Sequence, residues 1–494
     1  MTMNKKYFIL PILIAALLFT EACSYQSSPV TGQKRLYAYS WQQEVAMGQE
    51  ADSQIIAYYG LYDDTELANY ITKIGKRVLA ESHMRQATAD AQFRNTEFTF
   101  RVLSSPIVNA FALPGGFNYV TRGLLTHMTS EAQLAMVIGH EIGHVAARHA
   151  SQQALKQQAG SILLIGTAVL GQELLGLPGQ DILNLGGTAA QLLFLRYSRD
   201  AERESDRLGV EYAAKAGYAS AEGAAFFTTL KRLSDKAGAT IPSHLSSHPD
   251  PGERERDIIN RANRWKQQGF AQERVGQRDF YNAISGMILG DNPREGFTRD
   301  GIFYHPDMAF QFPYPGDWRL INEPSQVVLV TYDQKAVTIF NLPGKSSAAE
   351  AVDEIGNLEQ VTVTSRNSIN INGNNAFRLI GTMQEKNVLY TLHVTAIENQ
   401  GKVYRFLSYT TQSDYDRYSN AFNQSSGGFS TLTNQSILNI QPARIKIVEV
   451  SRSAPFRSFI PNELPMGLDA EGLAIINQVQ LDEVIPVGTL LKLY

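Results

Sequence analysis

The sequence predicts an α+β protein, mainly helical in its first three fifths and built on antiparallel sheet beyond. Three observations carry this reading. Apolar residues recur at helical spacing through much of residues 40–290, whereas from Phe303 onward short runs rich in Val, Ile and Tyr alternate with turns. The last fifty residues then return to an order of strand, helix, helix and strand, a small βααβ module. A chain of 494 residues is long enough for about three domains, and the pattern changes put them at 40–298, 299–440 and 441–494.

Taken in order, residues 1–23 read as a targeting segment. Lys5 and Lys6 precede a charge-free run from Tyr7 to Thr20, shorter than the roughly 18 residues that read as a membrane span. Cys23 is the only cysteine, so no internal disulfide is possible. An apolar signal ending at a lone Cys resembles a bacterial lipoprotein signal, which implies cleavage before Cys23 and lipid attached to it. Thr20 and Glu21 depart from that pattern, and the plainer alternative is an ordinary signal peptide cut elsewhere. Either reading takes the protein out of the cytoplasm, and the lipid-anchored one places it in the cell envelope, on the periplasmic side. Ser24 after an acylated Cys implies sorting to the outer membrane.

Residues 24–39 read as a polar tether. Helices follow, the first opened by a capping box of Ser40 and Gln43, the second capped by Asp63 or Asp64 and carrying Leu67, Ile71, Ile74 and Val78. FTFRVL at 98–103 alternates as a strand, and FALPGGFNYVT holds two extended pieces around Pro114 and Gly115-Gly116.

Residues 130–150, SEAQLAMVIGHEIGHVAARHA, read as one amphipathic helix capped by Ser130 and Gln133, with Leu134, Val137, Ile138 and Val145 on its buried face. His140 and His144 lie four apart, about 40° from each other in direction, so both imidazoles can converge on one metal ion. Zinc suits neutral imidazole, and Glu141 is placed to take a proton from a water that the metal has acidified. Composition alone would give roughly 0.02 chance matches to HExxH in this chain. His149, five residues past His144, should point to the far side of the helix as a cap or surface residue. An all-His third ligand is excluded because Ala150 occupies its position. Downstream, AERESDRLG places Glu202 and Asp206 four apart on another helix. Glu202 can complete a His/His/Glu site, and Asp206 can hold a ligand imidazole in one tautomer.

NAFALPGGFNYVTRGLL, HEIGH, ERESDRLG and SSHPDPGER follow one another in that order. The succession resembles the metallopeptidase family of the CAAX prenyl proteases and HtpX-type membrane proteases, in its soluble, periplasmic, beta-barrel-assembly-enhancing branch. The resemblance covers roughly residues 30–300. It implies a gluzincin fold and one zinc ion per chain held by His140, His144 and Glu202, with Glu141 as base. It also implies that the second of the two extended pieces edges the active-site cleft. Ser205 stands where the family's block usually has Ala. His248, in the SxHPxxxxR block, has three open roles: an oxyanion donor, a fourth zinc ligand that displaces water in the idle enzyme, or a plain structural residue. Pro249 and Pro251-Gly252 would hold it on a stiff loop.

Residues 159–195 are apolar and Gly-rich, which suits a core helical hairpin, or else a mobile flap or membrane-facing surface over the zinc. Residues 299–440 resemble the PsbP-like fold, and His305 and His393 within them read as structural. Residues 441–494 resemble a degenerate LysM module, with Asn477 and PVGTLLKL matching and the usual Gly-Asp-Thr replaced by 451–455. That resemblance implies peptidoglycan contact. The near balance of 48 acids and 44 bases argues against nucleic acid as a partner. The expectation is therefore a lipid-anchored zinc metalloendopeptidase acting on misfolded or unassembled envelope proteins. Its rival is a noncatalytic envelope chaperone or peptidoglycan-binding scaffold.

Overall fold

The computed structural model describes residues 24–163, 192–193, 195–237, 248, 253–385 and 388–494. The expected signal (1–23), most of the apolar 159–195 segment and the Pro249 to Gly252 turn lie outside them. The chain divides into two compact units. One comprises the described residues up to Asp291 together with Ala443–Tyr494, and the other Asn292–Pro442. Both helix and sheet are present, and none of the described helices is long and apolar enough to cross a membrane.

The first unit opens with a hairpin, β1 (Ser24–Ser27) against β2 (Lys34–Tyr37). This corrects the expected tether. Tyr37 is fully buried and Gln26 hydrogen-bonds to the Trp41 amide, so the segment is pinned from its first residues. Helix α1 (Trp41–Tyr59) begins with the complete Ser40/Gln43 box, and α2 (Thr65–Ala80) is capped by Asp64. A three-stranded sheet of β3 (Thr99–Leu103), β4 (Ala110–Leu113) and β5 (Phe117–Thr121) has the order β3, β5, β4. This corrects the expected edge strand: the second extended piece, β5, is paired on both sides, and the first, β4, lies at the edge. β5 is parallel to β3 and antiparallel to β4.

Next comes α3 (Glu131–Ala147), followed by α4 (His149–Leu163), α5 (Arg199–Lys215), α6 (Gly223–Ala237), α7 (Arg254–Gln267) and α8 (Gln277–Ile284). The expected single helix over 130–150 is broken at Arg148, which adopts a left-handed conformation with φ of 59°. All residues of α3 are buried, so it is a core helix with no solvent face. Ser130 caps it by accepting from the Gln133 amide, but the Gln133 side chain accepts from Thr129 N rather than Ser130 N, so the expected box is only half formed.

The C-terminal residues, expected as a separate module, share this unit. Ile445 and Ile476 join its main core. Strands Lys446–Glu449 and Leu490–Leu493 pair antiparallel around helix Ala470–Ile476, and the expected first helix is a short 3-10 turn, Phe456–Phe459. Gln478 bonds both to Gln133 and to His127 O, and buried Lys492 donates to Thr126 O and Met128 O. The module therefore grips the entry to α3.

The second unit holds a seven-stranded antiparallel sheet. Its spatial order is Val361–Ile371, Asn374–Glu385, Val388–Asn399, Lys402–Thr411, Ala336–Asn341, Gln326–Thr331 and Trp318–Glu323. Strand alternation sends Ile397, Tyr404 and Phe406 to the face covered by helix Tyr415–Gly427, and Val394, Ala396 and Val403 to the face covered by helix Ala348–Gly356. The strand Val361–Ile371 was not foreseen, because as an edge strand it is exposed on most of both faces and carries no apolar alternation.

His393 lies buried in this sheet, with Nδ1 3.0 Å from the Tyr415 hydroxyl. Burial pushes its pKa down to about 3, and nearby Arg378 adds to the effect. The unfolded chain therefore takes up the proton first, so the stability tied to neutral His393 is present above pH 6.5 and lost as pH falls toward 3. Within that window the loss is about 1.4 kcal/mol per pH unit per proton. Melting curves between pH 7 and pH 4 should show a shallower fall for His393→Gln than for the parent chain. Equal slopes would remove His393 as a source of acid sensitivity.

Candidate metal centre

Helices α3 and α5 build the site between them, and glycines set their spacing. A Cβ on Gly209 would lie 2.8 Å from His140 N and 2.9 Å from Met136 O, and one on Gly139 would lie 3.0 Å from Gly209 O. The two backbones touch with no side chain between them. That contact carries the Glu202 carboxylate, from the N-terminal part of α5, to the two imidazoles of α3.

The distances are those of a closed cluster. His140 Nε2 and His144 Nε2 are 3.0 Å apart, and Glu202 reaches the first at 3.5 Å and the second at 3.4 Å. His248 Nδ1 lies 3.1 Å from Glu202 Oε1 and 3.4 Å from His140 Nε2. All four residues are buried, and one potential ligand atom from each lies within 4.8 Å of the others. Four atoms at zinc–nitrogen and zinc–oxygen distances around a tetrahedron would stand about 3.3 Å apart, so the set fits a zinc ion. Glu202 Oε2 and Glu141 Oε1 are buried without a hydrogen-bond partner among the described residues. Such orphaned acceptors ordinarily call for a cation or a water.

Each metal-facing imidazole has its other nitrogen held. His140 Nδ1 is 2.9 Å from Asp206 Oδ1, and Arg254 fixes that same oxygen through Nε at 3.0 Å and Nη2 at 2.7 Å while stacking 3.8 Å over the Phe227 ring. Burial opposes charge on Asp206, yet Arg254 and His140 outweigh it and hold the carboxyl below its usual range. His144 Nδ1 is 3.1 Å from His149 Nδ1, whose Nε2 lies 3.2 Å from Glu204 Oε2. This corrects the expectation for His149 as a cap or surface residue. It is 4% exposed, because the break at Arg148 starts a new helix and turns the ring back to His144. Ser205 Oγ, 3.3 Å from the same His149 nitrogen, sits one contact away from a candidate ligand.

Burial would lower His140, but Asp206 and Glu202 lift it to about 9, whereas in His144 burial wins and the pKa falls. Burial works against the charged form of Glu202 as well, but His248, His140 and His144 overcome it and keep the group ionised. Glu141 shows the opposite balance: burial pushes its carboxyl up, and its Oε1 lies 3.8 Å from His248 Nε2.

Sequence reasoning did not single out Arg254, Tyr197 or Arg148 as parts of the site. Arg254 closes the SSHPDPGER block, which was its available signal. Tyr197 lays its ring 4.1 Å from that of His144 at an angle of 33°. Arg148 caps α3 and pairs with buried Glu44 at 2.6 Å.

The glycine contact gives a direct test. Gly209→Ala should wedge α5 away from α3, cost about 1–3 kcal/mol by overpacking, and lower metal content. Gly427→Ala, where a Cβ meets nothing within 4 Å, serves as control. Full metal stoichiometry and an unchanged melting point in Gly209→Ala would show that the helices have room to part.

Comparison with known proteins places this geometry. The model of peptidase family M48 matches residues 76–262. Over 230 residues the chain is 32% identical to the "Beta-barrel assembly-enhancing protease" of Yersinia pestis, an alignment covering 45% of each chain. The protein of that name from Escherichia coli (strain K12) is 29% identical over 272 residues, 53% of each chain. "Mitochondrial metalloendopeptidase OMA1" of Arabidopsis thaliana is 36% identical over 162 residues, 33% of this chain and 31% of the other. The chain thus spans about half the length of the bacterial relatives it matches. Among solved structures, the solution structure of cyanobacterial PsbP from Synechocystis sp. PCC 6803 aligns at 15% identity over 26% of this chain and 91% of that chain, with a TM-score of 0.23. Residues 76–262, which hold His140, Glu141, His144, Glu202, Asp206 and His248, are a peptidase domain of family M48.

Proposed function

We propose that the chain is a zinc-dependent metalloendopeptidase of the bacterial cell envelope, with one zinc ion per chain held by His140, His144 and Glu202. The observation that carries this is the convergence of those buried ligand atoms beside a buried carboxylate oxygen, Glu141 Oε1, that has no hydrogen-bond partner among the described residues. Zinc, when bound there, supplies Lewis acidity that polarises a carbonyl and acidifies water. Glu141 is the general base. Its raised pKa brings it closer to the working range for accepting a proton and handing it to a leaving amine. Asp206, locked by Arg254, holds His140 with Nε2 free for the metal, and His149 and Glu204 do the same for His144.

Strand β4 lies at one edge of its sheet, and in this reading an extended peptide adds to that edge as a further strand. That suits unfolded or unassembled envelope proteins as substrates, in keeping with the name of the bacterial relatives, beta-barrel assembly-enhancing protease. The membrane contact in this reading is a lipid on Cys23, anchoring the chain to the outer membrane. The rival, a noncatalytic chaperone or a peptidoglycan-binding scaffold, draws on the LysM-like ending. Asn477, which carries that likeness, has its side-chain amide bonded to Leu473 O, Lys492 O and Lys492 N. The residue is held within the module rather than offered to a sugar.

His248 acts in this reading as an inhibitory fourth ligand. Its Nδ1 stands at the same spacing from Glu202 and His140 as the other ligand atoms do from one another, and a fourth protein ligand takes the position that water needs.

Two substitutions test the assignment. Glu141→Gln should keep stoichiometric zinc and lose casein hydrolysis by at least a hundredfold, and hydrolysis at the parent rate would sink the base assignment. His248→Ala should raise hydrolysis several-fold with zinc retained. A drop of about a hundredfold would instead make His248 an oxyanion donor.

A further inference from the structure

The hairpin β1–β2 has two unlike faces. On one, Tyr37 is fully buried, its ring 3.7 Å beneath the Arg148 guanidinium, and Gln26 Oε1 accepts from Arg148 Nη1 at 2.8 Å and from Trp41 N at 3.2 Å. On the other, Tyr25 and Leu36 stand directly opposite each other, 67% and 47% exposed, with Lys34 further along the same face and 5.9 Å from the Tyr25 ring. A two-stranded ribbon that shows a tyrosine, a leucine and a lysine to the outside has the make-up of a membrane-interface contact. The apolar body enters the headgroup region, the phenol stays at its wet edge, and the lysine meets lipid phosphate.

We propose that this outer face rests on the lipid surface and seats the peptidase unit there. The inference rests on the reading of Cys23 as the acylated residue. If Cys23 carries the lipid, Tyr25 Cα lies within about 7 Å of Cys23 Cα even when the chain is fully extended. The headgroup layer is itself about 5–7 Å thick. Strand β1 begins at Ser24, so no slack separates the anchor from the hairpin. Leu36, paired with Tyr25, is held at the same depth. The inner face then passes this seating to the residue that ends α3, because Gln26 and Tyr37 both hold Arg148. The metal helix is thereby mounted on the membrane through a folded ribbon in place of a loose tether.

The test uses the full-length chain, processed and acylated in cells and reconstituted into vesicles of phosphatidylethanolamine and phosphatidylglycerol. Cys23 is the only cysteine, so once it is acylated a nitroxide can be placed selectively at Leu36→Cys, or at Leu61→Cys as an exposed control on another surface. The ratio of oxygen to nickel-chelate collision rates should be several-fold higher at position 36 than at position 61. Equal ratios, with the acyl group on Cys23 verified by mass spectrometry, would overturn the seating and leave the anchor intact. Absence of the acyl group would overturn both together.

Discussion

Contact between two helix backbones is the constraint on which the site depends. With glycine at 139 and 209, α3 and α5 approach until backbone meets backbone, and only at that distance does the Glu202 carboxylate come within 3.5 Å of both imidazoles of HEIGH. Overpacking is costly in a well-packed interior, so a methyl group here would have to be absorbed by moving a whole helix. The surroundings resist such a move. α3 is buried along its full length, and its entry is gripped by Gln478 and Lys492 from the far end of the chain.

Around this contact the charges are arranged in layers. Glu202 stays ionised in a buried place because three histidines face it, and Asp206 stays ionised because Arg254 and His140 do. Arg254 in turn has an aromatic face beneath it. A lone buried carboxylate would be expensive, whereas one bonded on several sides is held in a single orientation. Glu141 is held less closely, its Oε1 3.8 Å from His248 Nε2 and without a hydrogen bond among the described residues. Burial outweighs the nearby positive groups and raises its pKa, and that is the property a base needs.

Much of this was legible in the chain. HEIGH and ERESDRLG announce their chemistry because the i, i+4 spacing of a helix converts sequence separation into a shared face, and Ser40, Asp64 and Ser130 mark helix starts through local hydrogen bonds. Five strands of the second unit showed themselves as runs rich in Val, Ile and Tyr between turns, whereas Trp318–Glu323 and the polar edge strand Val361–Ile371 did not, the latter because no buried face imposes a pattern on it. Local signals of this kind depend on neighbours within a few residues.

His149 and the N-terminal hairpin were misread for a common reason. A helical projection put His149 on the far side because it assumed an unbroken helix. The left-handed turn at Arg148 is held by Glu44, Gln26 and the Tyr39 carbonyl, more than a hundred residues away in sequence. Residues 24–39 looked like a polar tether because what pins them is that same arginine. By itself the sequence determined which groups could bind a metal and on which helices they sit, since those are properties of local spacing. Only the tertiary structure decided that Glu202 meets His140 and His144, that His248 joins them, and that His149 and Arg254 steady the ring nitrogens behind. Apart from His149 on His144, five residues apart, those contacts join segments 46 to 114 residues apart, and their geometry follows from how closely the helices can pack.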